Sequence, residues 1–246
     1  MRQFLQLSVS ILLMFMFSCG GGNSLHIKGD NEAVILAEGM ILELGGKKNW
    51  TNLKSVYIRT VSLDMVSGQP FAFEEWINLD EPKFMNHRII NDVHYFQIVD
   101  GNDGWLVQNN TVTLLQPDNV TNYLEWYDRF FMRNIKLLAF GGENVEVKVN
   151  GEDAFDVFVN SSFIAGFSLN EKNLPVKYVT PGTSQRFNIM NVDEWGEYKG
   201  YKYPLKVTGE NIRAHYQTDY WDAGTMDAES SFNVSFDPYK IAERFE

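Results

Sequence analysis

A single cysteine, Cys19, occurs in 246 residues. No internal disulfide can staple the fold, and no cysteine pair is available to a metal. Basic residues are also scarce, with 21 Lys and Arg against 32 Asp and Glu, a formal net charge of −11. That deficit argues against nucleic acid as a partner, because its phosphates demand a basic surface. It argues equally against electrostatic attraction to an anionic membrane face. The four histidines, His26, His87, His94 and His215, show no His-x-x-x-His spacing, so zinc has no support. Gly-x-Ser-x-Gly, a phosphate loop and a dinucleotide fingerprint are all missing. Asp100-Gly101-Asn102-Asp103-Gly104 lacks the ligand spacing of a calcium loop and reads as a turn. The acidic neighbours Glu74-Glu75, Asp193-Glu194 and Asp227 with Glu229 read as solvated turns and edges. These absences leave no catalytic residue, metal ligand or cofactor site to name, and they favour a binding protein over an enzyme.

What is present begins at the N-terminus. Arg2 is the only charge before Cys19, and an apolar run from Phe4 to Phe17 follows it. The run is shorter than the roughly 20 residues of a membrane span and has the size of a signal-peptide core. Ser18 precedes the cysteine, and Gly20-Gly21-Gly22-Asn23-Ser24 follows it with the composition of a flexible linker. The segment resembles a bacterial lipoprotein signal, although Met16 and Phe17 depart from the usual Leu-small-Gly/Ala-Cys pattern. The resemblance implies removal of residues 1–18 and acylation of Cys19 by palmitate-type chains, with residues 19–29 as a tether. Each buried methylene of such an anchor contributes about 0.8 kcal/mol of membrane affinity.

Aromatic residues are abundant, with 18 Phe, 11 Tyr and 6 Trp. They suit either a β-rich core or the walls of an apolar cavity. Residues 30–44 carry a helical stripe of Ala33, Ala37, Met40 and Leu44, with Asp30 or Asn31 to cap it and Gly45-Gly46 to stop it. Strand signals follow at 55–66, 71–79, 83–90, 93–100, 105–108 and 111–115, joined by short turns. A helix is expected over 119–140, where Leu124, Tyr127, Phe131, Ile135 and Leu138 share one face. Strands resume at 145–150, 154–160, 162–170, 174–180, 184–195, 201–207, 212–222 and 231–237. Pro204 predicts a ladder that is not paired on both sides. The pattern is an antiparallel meander interrupted by one helix.

Signal, helix, meander, helix and meander, in that order, resemble the LolA/LolB-like family. LELGGKKNWTNLKSVYIR (42–59), IVDGNDGWLV (98–107), FSLNEKNLPVKYV (167–179), YKGYKYPLKV (198–207) and SFNVSFDPYKIAERFE (231–246) carry the resemblance. It implies an α+β, mainly antiparallel fold, a half-open β-barrel of about ten strands wrapped over the two helices, spanning residues 30–246 as one domain. The family holds lipid-like ligands: LolA shuttles lipoproteins through the periplasm, and LolB is their lipid-anchored acceptor on the outer membrane. An anchored chain resembles an acceptor. The expected partners are the membrane, through the acyl chains, and a lipid or acylated lipoprotein as ligand. The chain is expected to act as a monomer on the outer membrane, facing the periplasm. By pattern, Leu124, Tyr127 and Phe131 are candidates to face the sheet, with Val56, Ile58 and Trp76 as candidate cavity walls. Two rival readings are a surface glycan-binding lipoprotein with Trp50, Trp76, Trp105 or Trp221 as sugar platforms, and an assembly lipoprotein with a filled barrel.

Overall fold

The computed structural model of the protein describes residues 25–64, 70–182, 187–209, 214–224 and 235–245, with backbone alone for 62–64 and 214–224. Cys19, the signal segment and most of the expected tether lie outside these residues, as do 231–234 of the last expected strand.

The helix expected after residue 30 is α1 (Asn31–Glu43). Its stripe of Ala33, Ala37, Met40 and Ile41 is buried, as is Leu44 just beyond it. Asp30 stands at the cap position but does not cap; its carboxylate accepts from Val149 N at 3.0 Å, pinning the helix start to a strand. Gly45 has a positive φ of 126°, and a Cβ there would lie 2.3 Å from Gly200 O. Glycine is therefore required both for the backbone angle and for the close approach of another chain segment. A short helix that the sequence reading passed over, α2 (Lys47–Asn52), follows. It buries Trp50, whose indole N–H donates to Leu44 O at 3.0 Å.

Residues 25–29, assigned to the tether by composition, are held against the domain. Leu25 is buried and its N–H donates to Glu38 Oε1 at 2.9 Å. Lys28–Gly29 forms β1, parallel to β8 (Val145–Gly151). Backbone pairing and one buried leucine outweigh the flexibility that a glycine-rich neighbourhood suggests.

The first meander comprises β2 (Ser55–Asp64), β3 (Pro70–Asn78), β4 (Lys83–Ile90), β5 (Val93–Asp100), β6 (Asp103–Gln108) and β7 (Thr111–Leu114). The second continues from β8 through β9 (Ala154–Val159), β10 (Ser162–Leu169), β11 (Pro175–Pro181), β12 (Phe187–Tyr198), β13 (Tyr201–Gly209) and β14 (Ala214–Gly224). All strands among the described residues join one sheet in the order β1-β8-β9-β10-β11-β12-β13-β14-β2-β3-β4-β5-β6-β7. Apart from β1, every pairing is antiparallel. The β14–β2 ladder joins the two meanders, and β7 and β1 remain as edges, so the sheet is open rather than a closed barrel. Pro204 faces Trp195 on β12 but lies outside the β13–β14 ladder, which runs only from Lys206 to Thr208, as its missing N–H requires.

The helix expected over 119–140 is two helices, α3 (Pro117–Asp128) and α4 (Phe131–Phe140). Arg129 closes α3 and Phe130 turns extended, with φ −64° and ψ 128°. The tyrosine hydroxyl of Tyr178 donates to Arg129 O at 2.5 Å, and Asn134 Nδ2 donates to that hydroxyl at 2.7 Å. Side chains from a strand and from the second helix thus satisfy backbone that the break exposes. The apolar stripe runs on through the break, so periodicity alone does not reveal it.

The main core lies between the concave face of the sheet and helices α1, α3 and α4. A second, smaller cluster lies on the opposite face. There Phe236 and a C-terminal helix, α5 (Pro238–Ala242), pack on Trp76, Met85, Phe96, Ile98 and Val107. The expected strand at 231–237 is therefore not formed over 235–237. Asp237 instead caps α5, accepting from Tyr239 N and Lys240 N, with Pro238 in the first turn.

Candidate functional site

Strand alternation sorts the walls. On β2, Val56, Ile58 and Thr60 share one face; on β3, Phe73, Glu75 and Ile77 do. These residues turn toward the helices, and where the helices stand off the sheet a hollow of ≈ 500 Å³ remains. Ile58, Phe73, Phe131, Met190, Val192 and Val207 supply apolar wall from both meanders and from α4. The size falls within the roughly 300–1,000 Å³ of small-molecule pockets. A second hollow of ≈ 280 Å³ adjoins it, with Glu75, Asn122 and Trp126 shared between the two. Its remaining lining includes Phe84, Asn86, Gln97 and Tyr123.

The roof is fixed at several points. Tyr127 stacks on Phe84 with centroids 5.8 Å apart, and its hydroxyl donates to Glu81 O at 2.7 Å; burial pushes that hydroxyl up to about 12. Phe131 meets Tyr178 edge-on at 5.1 Å. Lys136 on α4 is buried, donates to Leu53 O and pairs with Asp80. Burial lowers the Lys136 ammonium, opposed by Asp80. Asp80 is raised by burial but lowered more by Lys136 and Lys54, ending below its ordinary value.

Of the six candidates named from the sequence, Ile58 and Phe131 line the larger hollow. Val56 is fully buried in the core, Tyr127 is buried against Phe84, and Leu124 packs at the edge of that core. Trp76 lies on the opposite face, in the cluster beneath α5, because it is offset by one residue from Glu75 and Ile77. The reading of Glu74-Glu75 as a solvated pair is corrected. Glu74 faces outward, where its carboxylate accepts from Tyr57 at 2.5 Å and lies 2.8 Å from His87 Nδ1. Hydrogen bonding to His87 holds Glu74 below its ordinary value. Glu75 faces the hollows, and burial raises it from 4.5 to about 7, opposed only by donation from Asn86 at 3.2 Å. The alternation Phe73-Glu74-Glu75-Trp76-Ile77 carries that signal, since Glu75 shares a face with two apolar residues.

Two histidines distant from any motif also meet. His87 Nε2 lies 3.0 Å from His94 Nδ1 across the β4–β5 hairpin. Among the described residues, no group of three or more His, Cys, Asp or Glu side chains is placed to hold a metal ion. Of the tryptophans named as sugar platforms, Trp50 is 0% exposed and Trp76 is 8% exposed, and the side chain of Trp221 lies outside the described residues. Trp105 packs against the cluster under α5.

No protein-family profile matches the chain, and no curated protein matches it in sequence. Solved structures do match. A LolA superfamily protein from Nitrosomonas europaea is 10% identical, with 81% of this chain and 97% of that chain covered and a TM-score of 0.50. A DUF1329 family protein from Desulfovibrio piger, 9% identical, covers 82% of this chain and 98% of its own at a TM-score of 0.47. A domain from Vibrio parahaemolyticus described as an outer membrane lipoprotein-sorting protein, 13% identical, gives 0.43 over 81% and 95%. At these identities the likeness is one of architecture, and it rests on the first of the three. An open antiparallel sheet curled over helices, joined by the ladder between its two meanders, is the LolA-like fold.

Proposed function

We propose that the protein is a lipid-anchored envelope lipoprotein that holds an apolar or acylated ligand, without chemistry, between its sheet and the α3–α4 pair. The observation that carries this reading is the ≈ 500 Å³ hollow with aliphatic and aromatic walls. Acyl surface in water costs about 25 cal/mol per Å², and a preformed apolar concavity removes that cost reversibly. In this reading Ile58 and Phe131 touch the chain, while Val56, Leu124 and Tyr127 support the walls and roof. Cys19 bears the anchor, and the protein works as a monomer on the outer membrane, facing the periplasm, in lipid or lipoprotein trafficking. Burial of Trp50 and Trp76 weighs against sugar platforms, and an unfilled hollow weighs against a filled barrel.

Native mass spectrometry of protein purified from its own envelope tests the reading, with co-purified lipid expected. Protein that carries no lipid and does not bind a fluorescent fatty alcohol would sink it. The anchor is tested separately: Cys19→Ala should leave the membrane fraction, and a variant that stays there unchanged removes the anchor from the proposal.

A further inference from the structure

Glu75 is the residue that the apolar hollow does not explain. It stands where the two hollows meet and lines both. Its carboxylate accepts one hydrogen bond among the described residues, from Asn86 Nδ2 at 3.2 Å, although a carboxylate has about four acceptor positions. Neither nearby cation pairs with Glu75 among the described residues. Arg129, on the rim of the larger hollow, pairs with Glu125 at 2.8 Å. Arg88, two residues along β4 from Asn86, opposes through its charge the burial that raises the Tyr123 hydroxyl of α3, and its buried Nε has no hydrogen-bond partner among the described residues. Neither contributes to the environment of Glu75, where burial dominates and only Asn86 opposes it. A carboxyl with no counter-ion in apolar walls is costly unless something supplies a donor.

The two hollows differ in character. The larger is walled by Ile58, Phe131 and Met190, and the smaller brings Asn86, Gln97 and Tyr123 to the same carboxylate. Building on the carrier reading above, we infer that the ligand is an acyl amphiphile with a protonated primary amine in its head, which donates to Glu75 while its chain fills the larger hollow. Asn86 and Asn122 flank the head as further hydrogen-bonding groups. A fatty-acid carboxylate is disfavoured at this position, because two carboxylates cannot both remain ionised at contact.

The test uses the full chain, with displacement of a polarity-sensitive dye by dodecylamine, dodecanol and dodecanoate at pH 8. The amine is expected to bind at least about tenfold tighter than the acid, the ratio that one charge-assisted hydrogen bond supports. Glu75→Gln should bring that ratio to within about twofold while dodecanol binding is kept. Glu152→Gln, in the exposed β8–β9 turn, should leave the ratio unchanged, which separates the site from general attraction to an acidic protein. If dodecanol fails to bind, the carrier reading falls. If the alcohol binds but the preference is absent, or persists in Glu75→Gln, this inference alone is overturned. Two natural sources of the head are distinguished by short-chain phosphatidylethanolamine and by a diacylated cysteinyl peptide with a free N-terminus, each against its N-acetylated form. The source is the one whose binding falls on acetylation and on Glu75→Gln; a loss in neither overturns the proposal.

Discussion

Replacing Glu75 by Gln should stabilise the ligand-free protein, by an amount that grows from about pH 4.5 to about pH 7 and is constant above. The substitution keeps the shape and the oxygen that accepts from Asn86 at 3.2 Å, and removes the ionisable group. Burial raises this carboxyl from 4.5 to about 7 in the folded chain. The folded protein thus binds the proton more tightly than the unfolded chain does. Stability from this group is complete below 4.5 and is lost as pH rises through about 7. At about 1.36 kcal/mol per pH unit, the loss reaches about 3 kcal/mol as an upper bound. Urea unfolding at pH 4 should find wild type and Glu75→Gln equal within about 0.5 kcal/mol. At pH 8 the variant should be more stable by about 1–3 kcal/mol. Parallel stability curves from pH 4 to pH 8 would refute the burial of this carboxyl. A stabilising substitution in a cavity wall is also what a binding site predicts, because a group retained for a ligand is a burden on the empty fold.

The ion pair under the roof predicts an asymmetry. Asp80→Asn leaves the 4%-exposed Lys136 charged without its carboxylate and should cost about 3 kcal/mol. Lys136→Met leaves the better-exposed Asp80 with Lys54 at 2.8 Å and should cost about 1 kcal/mol, from the Leu53 carbonyl losing its donor. Equal losses in urea unfolding would contradict the account. Tyr178→Phe withdraws the hydroxyl from Arg129 O and Asn134 and should cost about 1–2 kcal/mol, with faster amide exchange at residues 129–134 as the local readout. Val207→Trp fills the larger hollow from β13; dye or lipid binding should fall at least about tenfold with stability changed by less than about 1.5 kcal/mol, and unchanged binding would move the ligand elsewhere.

Much of the architecture was legible because it depends on local pattern. The stripe of Ala33, Ala37 and Met40 defines α1, and short turns between alternating runs define the two meanders. The end of the β13–β14 ladder short of Pro204 fits the missing N–H there. Asp237-Pro238 also held a legible signal for α5, a cap followed by a proline in the first turn, which competed with the strand-like residues before it.

The sequence by itself determined the element types, the meander order and the acidic, nearly cysteine-free character of the chain, because these follow from periodicity, turn chemistry and counting. The tertiary structure decided the rest. The break between α3 and α4 depends on Tyr178, which arrives from a strand 49 residues after Arg129. The face that Trp76 occupies, and hence its place outside the hollow, depends on the register of β3 against its neighbours, in which one residue separates core from exterior. The standing of Glu75 depends on what packs around it. In sequence it is one of two adjacent acids; in the fold, alternation sends Glu74 outward to His87 and leaves Glu75 at the junction of an apolar hollow and a smaller, more polar one. Periodicity places a side chain on a face, but the dielectric it meets there is set by distant parts of the chain that fold over that face.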